Sequence, residues 1–137
     1  MTAISGAQTR PLSDSNDSLL RFAMRADATL TGVMGLAVAV AADPVSRLTG
    51  LTSAQEYSMG AFFVLYGLAV FSLAALPNLR RAGLGVVAAN LVYTVAAIVA
   101  AELVPMTSIG VGATLASGLY TLAFAGLQYL GVRRLTA

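Results

Sequence analysis

Few residues in this chain can do chemistry, and those few sit at helical spacings inside apolar sequence. Asp27 and Thr31 are i and i+4, Asn90 and Tyr93 are i and i+3, and Ser117, Thr121 and Gln128 fall on one side of one helix. An acid and two amides in apolar helices need hydrogen-bond partners, so these faces should turn toward one another. Arg21 and Arg25 precede Asp27 and are its candidate counter-ions. The expected polar cluster is therefore Arg21, Arg25, Asp27, Asn90, Tyr93 and Gln128. Such a cluster could bind a proton or a solute, with Asp27 titrating. The plainer reading is interhelical glue, with Asp27 near a membrane surface and bonded to an arginine or an amide. On the same terms Arg21 and Arg25 read first as determinants of orientation.

Three tyrosines, Tyr66, Tyr93 and Tyr120, fall near the middle of apolar segments, where a hydroxyl needs a partner. They could line a ligand or quinone patch, but hydrogen bonds to Thr, Ser or backbone carbonyls account for them more simply. Tyr57 and Tyr129, near segment ends, suit aromatic belts. Asp43, Glu56 and Glu102 are grouped by topology and could gather cations, although Asp43 and Glu56 also read as helix caps. Gly35/Ala39, Gly85/Ala89 and Gly112/Ala116 have the small-xxx-small spacing, and Gly60 and Gly67 are seven apart. These predict close helix packing.

Composition removes most other chemistry. The chain has no cysteine and no histidine, so disulfides, thiolate or imidazole metal sites and nucleophile–base pairs built on either residue are excluded. No cofactor is expected, and the chain reads as no enzyme. Of the 137 residues 58% are hydrophobic and 10% are charged, against about a quarter charged in an average soluble domain. A net charge of +2 confined to connections gives no basis for nucleic-acid binding.

The elements that must position these residues follow from hydropathy and punctuation. Residues 1–17 are polar and aperiodic, and read as a flexible tail. The rest, 18–134, reads as a four-span domain with spans at about 19–42, 57–76, 82–101 and 107–132. The charge-free part of the first, Ala28 to Ala42, would span only about 22 Å as a helix, so Ala23 to Asp27 should enter the membrane with Arg21 and Arg25 snorkelling. The basic lead and Ala39-Val40-Ala41 also look like a signal peptide, but Asp27 at the edge of the apolar run speaks for a retained span. Asp43, Pro44 and Gly50 spell a short helix, N-capped by Asp43, lying on the membrane surface. Ser53 to Glu56 reads as a capping box opening the second span. Pro77 and Pro105 close the second and third.

Seven arginines (Arg10, Arg21, Arg25, Arg80, Arg81, Arg133, Arg134) fall on one side of these spans and only Arg47 on the other. The positive-inside rule then puts both termini in the cytoplasm. The expected fold is all-α, an up-down-up-down four-helix membrane bundle with a short interfacial helix after the first span. Two resemblances accompany this reading. Residues Leu20 to Gly32, Asp43-Pro44 with Leu48 to Leu51, Asn90, and Gln128 to Gly131 before the last arginine pair resemble the small, mostly uncharacterised four-helix integral membrane proteins of actinobacteria. That resemblance implies a plasma-membrane location and no particular activity. In size and span count the chain is also similar to small multidrug-resistance transporters. Their first-span acid is a glutamate in charge-free surroundings, where this chain has Asp27 beside Arg25. The expected function is a non-enzymatic accessory or assembly protein in the lipid bilayer, packing on a membrane-protein partner or on itself. The alternative is a small proton-coupled transporter acting as a homo-oligomer.

Overall fold

The computed structural model describes residues 16–135. The expected flexible tail falls almost wholly outside them. The described residues form five helices and no strand: α1 (Ser18–Val40), α2 (Ala42–Thr49), α3 (Ser53–Leu73), α4 (Arg80–Leu103) and α5 (Ser108–Leu135). The four long ones are long and apolar enough to cross a membrane.

Helix boundaries follow local chemistry, with three departures from expectation. The capping box of α3 uses Thr52 and Gln55, one residue earlier than Ser53 and Glu56: the Thr52 hydroxyl accepts from Gln55 N–H and the Gln55 side chain accepts from Thr52 N–H. This satisfies two otherwise orphaned donors and frees Glu56 to turn inward. Asp43 does not N-cap α2. Only Ala41 separates α2 from α1, and Ala41 N–H and Val45 N–H continue the helical bonding pattern to Ala37 and Ala41 carbonyls. No donor there needs a side-chain cap, and Asp43 sits in the first turn, exposed. Finally, α3 stops at Leu73, short of Pro77, because Ala75 and Leu76 N–H groups tighten onto Ser72 and Leu73 carbonyls. Gly50 ends α2 at φ 82°, a conformation that favours glycine.

α1 packs chiefly on α3, and α4 on α5, with α1 and α5 joining the two pairs. The α1–α3 seam depends on absent side chains. A Cβ on Gly60 would lie 2.5 Å from the Gly35 carbonyl oxygen, and one on Gly67 would lie 2.6 Å from that of Ala28. The α3–α4 side is bridged by longer groups, including Phe63 edge-on to Tyr93 at 5.7 Å. A core of Leu20, Met24 and Ala28 with Val70, Ala74, Leu79, Val86 and Val132 closes one end. The leader-like first segment is therefore part of the core. Asp17, Leu79, Arg80 and Leu135 line a cleft at that end. At the opposite end Thr107 bonds through its N–H to the Thr49 carbonyl and through its hydroxyl to that of Leu48, docking α2 on the start of α5.

The exterior is apolar. Leu65, Leu68, Val92, Val95 and Leu119 are all more than 60% exposed. The most fully buried side chains include Asp27, Glu56 and Gln128. Polar groups inside and large apolar groups outside invert the order of a water-soluble bundle.

Candidate functional site

Asp27 lies in the ninth residue step of α1, about 13 Å from its start. That is well along the helix, and the carboxylate is 0% exposed. All four long helices converge on it. Asn90 of α4 is about 15 Å from that helix's start, and Tyr66 of α3 and Gln128 of α5 are each about 10 Å from their helix ends. Because alternate helices run in opposite directions, these depths coincide in one layer.

Every bond to the Asp27 side chain is donated to it. Tyr66 OH, Asn90 Nδ2 and Gln128 Nε2 each donate to Oδ2 at 2.9 Å. Asn90 Nδ2 also donates to Gln128 Oε1 at 2.9 Å, closing a ring of acid and two amides. Thr31 Oγ1 donates to Oδ1 at 2.9 Å and lies 2.8 Å from Tyr120 OH. A carboxylate presents about four lone-pair sites, all acceptors, and this donor set occupies them. Among the described residues no buried side-chain nitrogen or oxygen lacks a partner. Among the described residues the donors to this carboxyl group are all neutral.

The two arginines stand apart from this layer. Arg21 pairs with Asp17 at 2.6 Å and donates to the Ala74 and Leu76 carbonyls, just past α3. A cation there satisfies end carbonyls and suits the negative end of the helix dipole. Arg25 is exposed. Residues two apart on a helix are about 200° apart around its axis, so Arg25 points away from the side that Asp27 occupies. Of the six expected cluster residues, Asp27, Asn90 and Gln128 meet. Tyr93 belongs to a second layer, where its hydroxyl is 2.9 Å from Ser117 Oγ.

That second layer ends on the backbone. Thr94 Oγ1 lies 2.7 Å from Thr121 Oγ1, and Thr94 donates to the Asn90 and Gly118 carbonyls. Ser117 donates to the Thr114 carbonyl. These hydroxyls join α4 to α5 without continuing the side-chain network of Asp27. Tyr66 and Tyr120 are the partners that pattern reading left outside the cluster. Their signal was a hydroxyl in mid-segment, but which group each would meet depended on the crossing of helices.

Asp43, Glu56 and Glu102 do not gather. Asp43 and Glu102 are exposed, and Glu56 is 2% exposed and takes a hydrogen bond from the Thr49 hydroxyl. Among the described residues no three carboxylates come close enough to hold a metal ion. Two surface clefts, the one at the Arg80 end and an apolar groove along α4 from Leu91 to Val104, contain none of the Asp27 cluster.

The fold and site thus define a small all-helical protein with four helices long and apolar enough to cross a membrane and a buried acid shared among them. Comparison with protein-family models, curated proteins and solved structures finds no match.

Proposed function

We propose that this chain is a four-span plasma-membrane protein with both termini cytoplasmic. It acts as a non-enzymatic accessory or assembly protein that packs on a membrane-protein partner or on a second copy. Orientation follows from seven arginines against one. The observation that carries the function is the fate of the glycines. Gly35, Gly60 and Gly67 are consumed in the α1–α3 seam, while a Cβ on Gly85 or Gly112 would meet nothing within 4 Å. Their small partners Ala89 and Ala116 are exposed as well. Two small-xxx-small faces are thus left for another helix. The sealed polar layer points the same way, since its hydrogen bonds are spent on holding the bundle.

The test is affinity purification in nanodiscs from the source cell, with mass spectrometry of companions. A stoichiometric membrane partner or a defined homo-oligomer, lost on Gly85→Leu or Gly112→Leu, is expected. A monomer with no companion, or association indifferent to both substitutions, overturns the proposal.

A second reading, a small proton-coupled transporter working as a homo-oligomer, is favoured by one observation. Asp27 is a fully buried acid with no arginine bonded to it among the described residues. Burying an ionised group without a counter-ion is costly, and such residues commonly carry function.

A further inference from the structure

The two oxygens of Asp27 face different chemistry. Oδ2 accepts from one hydroxyl, Tyr66, and from two amide N–H groups, Asn90 and Gln128. Oδ1 meets hydroxyls only: Thr31 at 2.9 Å, and Tyr120 both through Thr31 and directly at 3.4 Å. An amide N–H is always a donor, whereas a hydroxyl can donate or accept by rotating its proton. The Oδ1 side is reversible in a way that the Oδ2 side is not.

With Asp27 ionised, protons point from Tyr120 to Thr31 to Oδ1. With a proton bound on Oδ1, the same heavy atoms support the opposite order. Oδ1 donates to Thr31, Thr31 donates to Tyr120, and Tyr120 donates to the Asp27 backbone carbonyl 3.3 Å away. Thr31 gives one proton and accepts one in both states, Tyr120 gives one in both and accepts one only when Oδ1 is protonated, and no side chain needs a new position. Tyr66 can also turn its proton, to Asn90 Oδ1 at 3.2 Å, but a proton on Oδ2 would still face two amide donors at 2.9 Å. Thr31 and Tyr120 are half-buried, whereas Asn90 and Gln128 are buried, so Oδ1 is also the oxygen nearer the surface.

We infer that Asp27 is a binding site for a single proton, held on Oδ1 and accommodated by reversal of the Thr31–Tyr120 hydroxyl pair. One O–H bond forms at Oδ1 and no covalent bond within the protein breaks. The titratable groups facing Asp27 are Tyr66 from α3 and Tyr120 from α5. Asn90 from α4 and Gln128 from α5 are neutral, and α1 turns Arg25 away. The inference deepens the transporter reading and rests on it only in making Asp27 the proton acceptor.

Infrared difference spectroscopy of the full chain in nanodiscs, titrated with acid, tests it. Acidification should produce a protonated-carboxyl carbonyl band that is absent in Asp27→Asn. With the proton on Oδ1, Oδ2 is the carbonyl oxygen. Tyr66→Phe, which removes a donor from Oδ2, should then shift the band to higher frequency. Thr31→Val should shift it less, and Thr31→Ser should restore the wild-type band. A larger shift in Thr31→Val than in Tyr66→Phe overturns the Oδ1 assignment. No Asp27 band at any pH at which the protein stays folded overturns the inference and the transporter reading together. The expected band pattern without proton-coupled flux in vesicles supports the inference and removes the transporter reading alone.

Discussion

Asp27 and Glu56 are both buried acids, at 0% and 2% exposure, yet they are kept by different means. Glu56 stands in the first turn of α3, where free backbone N–H groups and the helix dipole favour a negative charge. A single hydroxyl from Thr49, seven residues away in sequence, completes its described partners. Asp27 lies mid-helix, where the backbone is spent on its own ladder and the dipole gives little. It has recruited donors from α1, α3, α4 and α5, up to 101 residues away. An acid at a helix start can be accommodated locally, whereas an acid in mid-helix requires the whole bundle.

The largest effect should come from Asp27→Leu. It leaves the Asn90 and Gln128 N–H groups that met Oδ2 facing a methyl group, at about 1–3 kcal/mol for each buried donor without an acceptor, while Tyr66 can turn to Asn90 Oδ1. Loss of the folded bundle on size-exclusion chromatography, or a steep fall in Tm, is expected. Asp27→Asn should be far milder. Its carbonyl oxygen can replace Oδ2 and its amide can donate to Thr31, as a proton-loaded acid would. Equal damage from the two substitutions would remove the distinction between the donor-locked and reversible oxygens.

Next comes Gly67→Ala. Its methyl carbon would stand 2.6 Å from the Ala28 carbonyl, forcing α1 off α3 one residue from Asp27. A cost of about 1–3 kcal/mol is expected for overpacking of this kind, read as a lower Tm. Gly85→Ala, with open space around it, should leave Tm unchanged. The smallest loss among the buried groups should come from Glu56→Gln. The amide oxygen can still accept from Thr49, and the loss is the difference between a charged and a neutral acceptor, about 1 kcal/mol. A Tm drop as large as that of Asp27→Leu would show that Glu56 also depends on the bundle.

Much of the frame was legible from pattern, and the misses share a cause. Long apolar runs, Pro77, Pro105 and Gly50 marked the helices because each acts on its own few residues. The small shifts at Asp43 and Leu73 arose where neighbouring backbone supplied a partner before a side chain did, and that at Thr52 where a side-chain pair one residue earlier closed the capping box. Asn90 and Gln128 were recognisable as groups that must be satisfied. Pairing Asp27 with Arg25 followed from sequence proximity, which a helix defeats by turning residues two apart to opposite sides. Tyr66 and Tyr120 gave no sign of sharing a partner, since each lies in a different helix.

The sequence by itself determined the inventory: four helices long and apolar enough to cross a membrane, no histidine or cysteine, one acid at the edge of the first apolar run, and a few amides and hydroxyls with nowhere polar to go. Tertiary structure alone decided which of them meet. Depth in a bundle depends on where antiparallel helices start, and facing depends on how they cross at the glycine seam. A hydrogen bond needs its atoms within about 3 Å. That tolerance is finer than helical periodicity can resolve, and the packing of α1, α3, α4 and α5 supplies it.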